Sequence, residues 1–431
     1  MRRTLACLLF LGACGKVQTF ADANGDGNGS QTDGAVTRVN VIVLDPNGTG
    51  APISGVPVVF LDPSGAQIGH PSTTADGKAS ADMPNGGSIT AVLPEGTSDY
   101  TIKTVLGVKG GDTITLNAAA VDNSTESFTV TLAALSGAAN YYVYGPCGTQ
   151  SSATNLTTAT LTINGYCKVP SMDIVAIAYD ANFNPLGWVE KSGITYAPGG
   201  NASMPATWNN MKSFTATATN VPAEATYVYV QRWWPDEYGY QANTSGPPTA
   251  GSFSANLDGP NSATAYVETD LQGPGGSEQR IRQAGSGTAT AYNLNVGNNL
   301  LVWIGQPSLD VSAGKITIPT TGTKQGSPDL FGVYVSYSRT GDAGFTRYNW
   351  YVYASDVQDF TFPTLPAEVG DVAPRAGDGA SFNTFASLVE YDDVAGYDAA
   401  RQNPDVVLQH YFDQNNRASM TAKISQSPLL K

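Results

Sequence analysis

The chain has 431 residues and a formal charge of −14; only 13% of its residues are charged, yet 41% are apolar and 10% aromatic. That is enough apolar side chain to bury cores, so the composition excludes a disordered chain. The length exceeds what one core supports, and about three or four domains are expected. The acidic excess repels polyphosphate and anionic lipid, which removes nucleic acid from the expected partners.

The first fourteen residues set a location. Arg2 and Arg3 form a cationic start, Leu5 to Leu11 a short apolar run, and Leu11-Gly12-Ala13-Cys14 brings small residues up to a cysteine. This is the pattern of a secretory signal, and the run is far below the roughly 20 residues that span a bilayer. Its end resembles the bacterial lipobox, which implies cleavage after residue 13 and acyl chains on Cys14. A plain cleaved signal with Cys14 near the scissile bond is the other reading. Gly15 rather than Asp follows the cysteine, and by the family's sorting rule this implies the outer membrane of the cell envelope. Loss of Arg2 and Arg3 lowers the basic count from 22 to 20 against 36 acids, a charge of −16. Membrane attachment then rests on acyl chains, at about 0.8 kcal/mol per buried methylene.

Residues 14–37 lack hydrophobic periodicity and read first as a flexible tether. Their spacing also fits a calcium loop. Asp22, Asn24, Asp26, Asn28, Ser30 and Asp33 offer hard oxygens at positions one, three, five, seven, nine and twelve of such a loop, and Gly27 stands at position six, where it turns sharply. Asp33 closes the loop in place of the EF-hand Glu, so the segment resembles dockerin and thrombospondin-type calcium loops. It occurs once, however, and strand rather than helix follows. Calcium is the one cofactor candidate.

Residues 38–120 read as a β-sandwich. Strands at Val39–Leu44 and Val56–Leu61 end in Asp45-Pro-Asn-Gly48 and Asp62-Pro-Ser-Gly65, and Asp76-Gly77 makes a third turn before Ser88–Val92. Gly55-Val-Pro-Val-Val59, Asp76-Gly-Lys-Ala79 and the proline-glycine turn after them are similar to the carboxypeptidase-regulatory-like and collagen-adhesin B-type modules. That resemblance implies a prealbumin-like fold, no catalysis, and a role as stalk, spacer or binding unit.

Residues 121–212 and 213–319 read as diverged copies. Phe128-Thr-Val-Thr and Tyr141–Tyr144 are echoed by Phe214-Thr-Ala-Thr and Tyr227–Val230, and Trp188-Val by Trp303-Ile. Because the offset grows from 86 to 115 residues between these echoes, a 29-residue insertion is expected within Tyr238 to Gly287. Alternation within Phe214–Thr219 predicts half-buried sheets, and an array of Ig-like sandwiches explains both copies. Cys147 and Cys167, an even pair in an oxidising compartment, are expected to form a disulfide. Its loop of about twenty residues is worth about 3 kcal/mol. Residues 320–431 complete a β-rich end with strands at Val333–Tyr337 and Tyr348–Tyr353, helical turns around Pro404 and a closing strand at Ala418–Ile424.

Catalytic signatures are thin. There is no Gly-x-Ser-x-Gly elbow, and only His70 and His410 could act as imidazole bases. The acids Glu390, Asp392, Asp393 and Asp398, beside Arg401, read first as a solvated face and second as a carboxylate or calcium site. Trp233, Trp234, Asp236, Glu237, Tyr238 and Tyr240 combine ring faces with carboxylates, as sugar-binding surfaces do. The competing reading is packing at an interdomain joint. The sequence therefore predicts an all-β protein of tandem Ig-like and prealbumin-like β-sandwiches, lipid-anchored in the envelope, non-enzymatic, and structural or adhesive, with a glycan or protein as its ligand. The alternative is a carbohydrate-binding or glycan-processing exported protein.

Overall fold

A computed structural model describes residues 36–45, 50–95, 99–117, 125–145, 148–152, 157–164, 170–234, 240–262, 265–284, 288–341, 344–380, 384–409 and 420–428. The protein is all-β and built on tandem sandwiches. The first comprises β1 (Thr37–Val43), β2 (Val58–Leu61), β3 (Gln67–Gly69), β4 (Lys78–Met83), β5 (Gly87–Glu95), β6 (Asp99–Val108) and β7 (Thr113–Leu116). Two sheets, ordered β4-β1-β7 and β3-β2-β5-β6, face each other, with β1 antiparallel to β4 and parallel to β7. Alternation along β1 sends Val39, Val41 and Val43 into a core with Val58, Phe60, Ile89 and Ala91.

The second sandwich repeats this plan with β8 (Thr125–Thr131), β9 (Asn140–Gly145), β10 (Gly148–Ser152), β11 (Thr158–Asn164), β12 (Ser171–Tyr179), β13 (Pro185–Thr195) and β14 (Asn201–Ser203). The third uses β15 (Lys212–Thr219), β16 (Tyr227–Trp234), β17 (Tyr240–Gly246), β18 (Ser252–Gly259), β19 (Tyr266–Gln272), β20 (Glu278–Gln283) and β21 (Ala291–Asn295). Their sheets run β11-β8-β14 with β10-β9-β12-β13, and β18-β15-β21 with β17-β16-β19-β20. All three sandwiches therefore share one seven-strand topology. In β15, Phe214, Ala216 and Ala218 are buried while Thr215 and Thr219 are exposed, as the alternation predicts.

The expected 29-residue insertion is absent. Strand starts in the third sandwich trail those in the second by 87 residues at the first strand (125 to 212), at most 95 at the fifth (171 to 266) and 90 at the seventh (201 to 291). Trp188 lies in the sixth strand of its sandwich, whereas Trp303 follows the seventh strand of the third. The two tryptophans are not equivalents. Trp303 instead fills the space over Gly273, where a Cβ would come within 2.4 Å of its ring.

The last segment holds β22 (Trp303–Ile304), β23 (Ser308–Asp310), β24 (Lys315–Thr317), β25 (Thr320–Thr321), β26 (Leu330–Gly341), β27 (Gly344–Ala354), β28 (Phe360–Thr361), β29 (Gly379–Ala380), β30 (Phe385–Tyr391), α1 (Gly396–Ala400), α2 (Pro404–Gln409) and β31 (Ala422–Gln426). Its strands join two sandwiches. One 13-stranded sheet runs β17-β16-β19-β20-β31-β30-β26-β27-β6-β5-β2-β3, with β29 beside β26. The boundary expected at residue 320 is thus not a boundary between sheets.

Cross-strand partners share a face, and the registers trace one row from Phe60 through Ile89, Val105, Tyr353, Gly332, Ser387, Gln426, Glu278 and Gln272 to Tyr227. Phe60 points into the first sandwich, but Tyr227 lies on the outer side of the third, whose core takes Val228. The first and third sandwiches consequently stack their small sheets on opposite faces of the shared sheet. Between them, Ala400 and Val407 of the helices cover one face, and Ile304, Ile316, Phe360 and Phe362 cover the other. The second sandwich joins by packing. Tyr144, Val175, Ile177 and Trp188 belong to the buried cluster that forms the core of the third.

Close packing makes a testable point at Gly259, where a Cβ would stand 2.4 Å from Cη2 of Trp234. Gly259→Ala is expected to cost about 1–3 kcal/mol, measured as a lower urea midpoint with an unchanged slope.

Candidate functional site

The C-terminal segment is fixed to the first sandwich by charged groups far apart in sequence. Lys103 of β6 and Asp405 of α2 pair at 2.6 Å, with side chains only 8% and 9% exposed. Asp405 also accepts hydrogen bonds from the Tyr353 hydroxyl at 2.6 Å and from the Asn117 backbone N–H at 2.8 Å. Burial would push the Asp405 carboxyl up, but the Lys103 ammonium and these donors outweigh it and hold the group below the usual range. Tyr353 is pushed the other way, by burial and by Asp405. Arg401 makes a two-pronged contact with Asp112, at 2.7 and 2.9 Å, and also bonds Asp398. Lys109 reaches Asp398 at 2.6 and 2.8 Å.

Of the acids read from the sequence as a solvated face, Asp392, Asp393 and Asp398 are exposed, and several also hold partners. Glu390 pairs with Lys423 at 2.6 Å, Asp392 accepts the Thr421 N–H at 3.0 Å, and Asp398 is a clasp residue. Arg401 belongs to the same clasp. The carboxylate that matters beside them was not predicted. Asp329 is 3% exposed and accepts backbone N–H groups from Tyr391 at 2.6 Å and Gly396 at 3.1 Å, fixing the turn into α1. Burial pushes its carboxyl up to about 6 against the pull of those two donors.

The aromatic cluster divides. Trp234 is fully buried among core residues of the third sandwich, with the Arg232 guanidinium 5.0 Å from its ring and 4.6 Å from that of Phe214. It cannot serve as a surface platform. Trp233 points to the other side, half-buried on the outer sheet face, where Gln231 bonds Asp270, and Arg282 pairs with Glu268 at 3.2 Å and covers the Tyr266 ring at 4.4 Å. Burial, then the neighbouring Glu268, raises the Asp270 carboxyl well above its ordinary value. Tyr240 opens β17 opposite Trp234. Asp236, Glu237 and Tyr238 lie outside the described residues, as do Cys14, Cys147, Cys167, His410 and the calcium-loop residues Asp22 to Asp33. His70 stands 3.9 Å from Glu368. Among the described residues no three His, Cys, Asp or Glu side chains gather to hold a metal.

The fold thus defines an all-β chain of three like sandwiches closed by a C-terminal clasp. No family model and no curated protein matches the chain. Among solved structures it is similar to the Bacillus anthracis TIE protein, at 13% identity and a TM-score of 0.16, over 61% of this chain and 50% of that one. The chain spans about half that protein's length. It is also similar to the shaft pilin spaA from Lactobacillus rhamnosus GG, at 8% identity and a TM-score of 0.15, over 39% of this chain and 97% of the pilin. The major pilin protein T-13 from Streptococcus pyogenes follows at 8% identity and a TM-score of 0.07, over 75% of this chain and 97% of that one.

Two measurements check the clasp. Asp405→Ala leaves a buried ammonium without its carboxylate and is expected to cost about 3–5 kcal/mol, whereas Lys103→Met with Asp405→Leu recovers most of the loss in chemical denaturation. Asp329 has a folded pKa above its unfolded value, so its contribution is full below about pH 4 and is lost as pH rises through 6. The difference in stability between wild type and Asp329→Asn should change by on the order of 2–3 kcal/mol across that window, in the direction that favours the variant at higher pH.

Proposed function

We propose that the chain is an exported cell-envelope protein that holds its sandwiches out from the membrane as a structural or adhesive display element. Acyl chains on Cys14 anchor it, and residues 15–37 give reach. One observation carries this reading: the C-terminal strands close the first and third sandwiches into a single 13-stranded sheet, so the sandwiches are held in fixed relation instead of swinging on linkers. Support also comes from the cationic start and lipobox-like Leu11–Cys14, and from a composition that is only 13% charged. Among the described residues no helix is long and apolar enough to cross a membrane.

Intact mass of the membrane-fraction protein from its native host tests the anchor. The mature chain should begin at Cys14 with added acyl mass and gain two hydrogens on reduction of a Cys147–Cys167 bridge, and Cys14→Ala should move it to the soluble fraction. An unacylated chain whose fractionation ignores that substitution would overturn the reading.

A further inference from the structure

The turn between the fifth and sixth strands of the second sandwich breaks a local rule that its counterpart keeps. In the third sandwich the corresponding turn, 273–277, takes its positive φ angles at Gly275 and Gly276, of 65° and 91°. In the second sandwich Phe183 takes φ of 62°, a conformation costly for a bulky side chain, and its ring is 59% exposed. Hydrogen bonds hold the turn in this conformation. The Asp180 carboxylate accepts the backbone N–H groups of Asn182 and Asn184, both at 2.8 Å, and the Asn184 side-chain amide at 2.9 Å; the Phe183 N–H reaches the Asp180 carbonyl at 3.1 Å.

Phe183 also begins an aromatic row. Its ring centre lies 6.4 Å from that of Tyr179, which lies 5.4 Å from Tyr142, half-buried on the adjoining strand. The same turn carries Asn182, exposed, whose amide can both donate and accept hydrogen bonds, and Asn184, whose amide N–H is held by Asp180. The geometry points to a binding site for a neutral oligosaccharide at this turn, with the exposed Phe183 ring stacking on a sugar face and the exposed Asn182 amide bonding hydroxyls. Charge selects the ligand class. Neither 139–145 nor 170–190 contains a Lys or Arg, which disfavours sulfated or phosphorylated chains and anionic lipid. Tyr142 and Tyr179 back the Phe183 ring from the cluster shared with the third sandwich, so Phe183 is the exposed end of the row, and the site does not depend on acylation of Cys14.

The test titrates the mature full-length chain with laminarin, dextran, yeast mannan and chitohexaose by calorimetry, with heparin, poly-lysine and phosphatidylglycerol vesicles as comparisons. At least one neutral probe should bind. Phe183→Gly should weaken it about tenfold or more while leaving the melting temperature equal or higher, since glycine relieves the strained φ; Phe183→Trp should retain binding. The proposal is overturned if no neutral probe binds, if a charged comparison binds at this turn in its place, if Phe183→Gly binds as wild type does, or if that variant melts at a lower temperature, which would make the ring a packing residue.

Discussion

A β-sheet edge is a row of unsatisfied N–H and C=O groups, and something must cover it or repel partners from it. In this protein the sixth strands of the first and third sandwiches, β6 and β20, are two such edges, and the C-terminal strands satisfy both at once, β27 lying parallel to β6 and β31 antiparallel to β20. The rest of the architecture follows from that pairing. Because partnered residues keep to one face, the row that is core in the first sandwich becomes outer surface in the third, and the two small sheets end up on opposite sides.

Buried charge gives this closure its register. Lys103–Asp405 and Arg401–Asp112 join strands and loops of the first sandwich to α1 and α2 across about three hundred residues of sequence. Apolar replacements of equal volume could bring equal stability. What ion pairs with fixed hydrogen-bond geometry add is a heavy cost for any slip of the helices along the face, since a shift of one residue leaves an ammonium or guanidinium buried without its carboxylate.

Local order was legible in the sequence. Turn residues and alternation located β1, β2, β5, β26 and β27, and the Phe128 and Phe214 echoes fall on β8 and β15, the first strands of their sandwiches, because both patterns depend only on neighbours along the chain. Relations across the chain were not. That the first sandwich shares its topology with the next two leaves no trace in residue identity, and matching Trp188 to Trp303 by type rather than by strand order produced an insertion that the fold does not contain. Trp234 illustrates the same limit. Next to Trp233 it reads as half of a surface pair, yet strand alternation sends the two rings to opposite faces and the missing side chain at Gly259 makes room for only one of them. Lys103 and Asp405 could not have been paired by inspection, since nothing about either position announces the other.

The position of β31 has a consequence for biogenesis. The last strand among the described residues is not at a sheet margin but between β20 and β30, with hydrogen-bonded neighbours on both sides. A polypeptide that emerges amino terminus first therefore exposes β6 and β20 as open edges through all the time needed for the remaining residues to arrive. Contacts of such long sequence separation form slowly, and open edges are where chains join the wrong neighbour. The hazardous interval ends only when β31 has been made and inserted, so closure of the sheet is a checkpoint that a chain lacking β31 cannot pass.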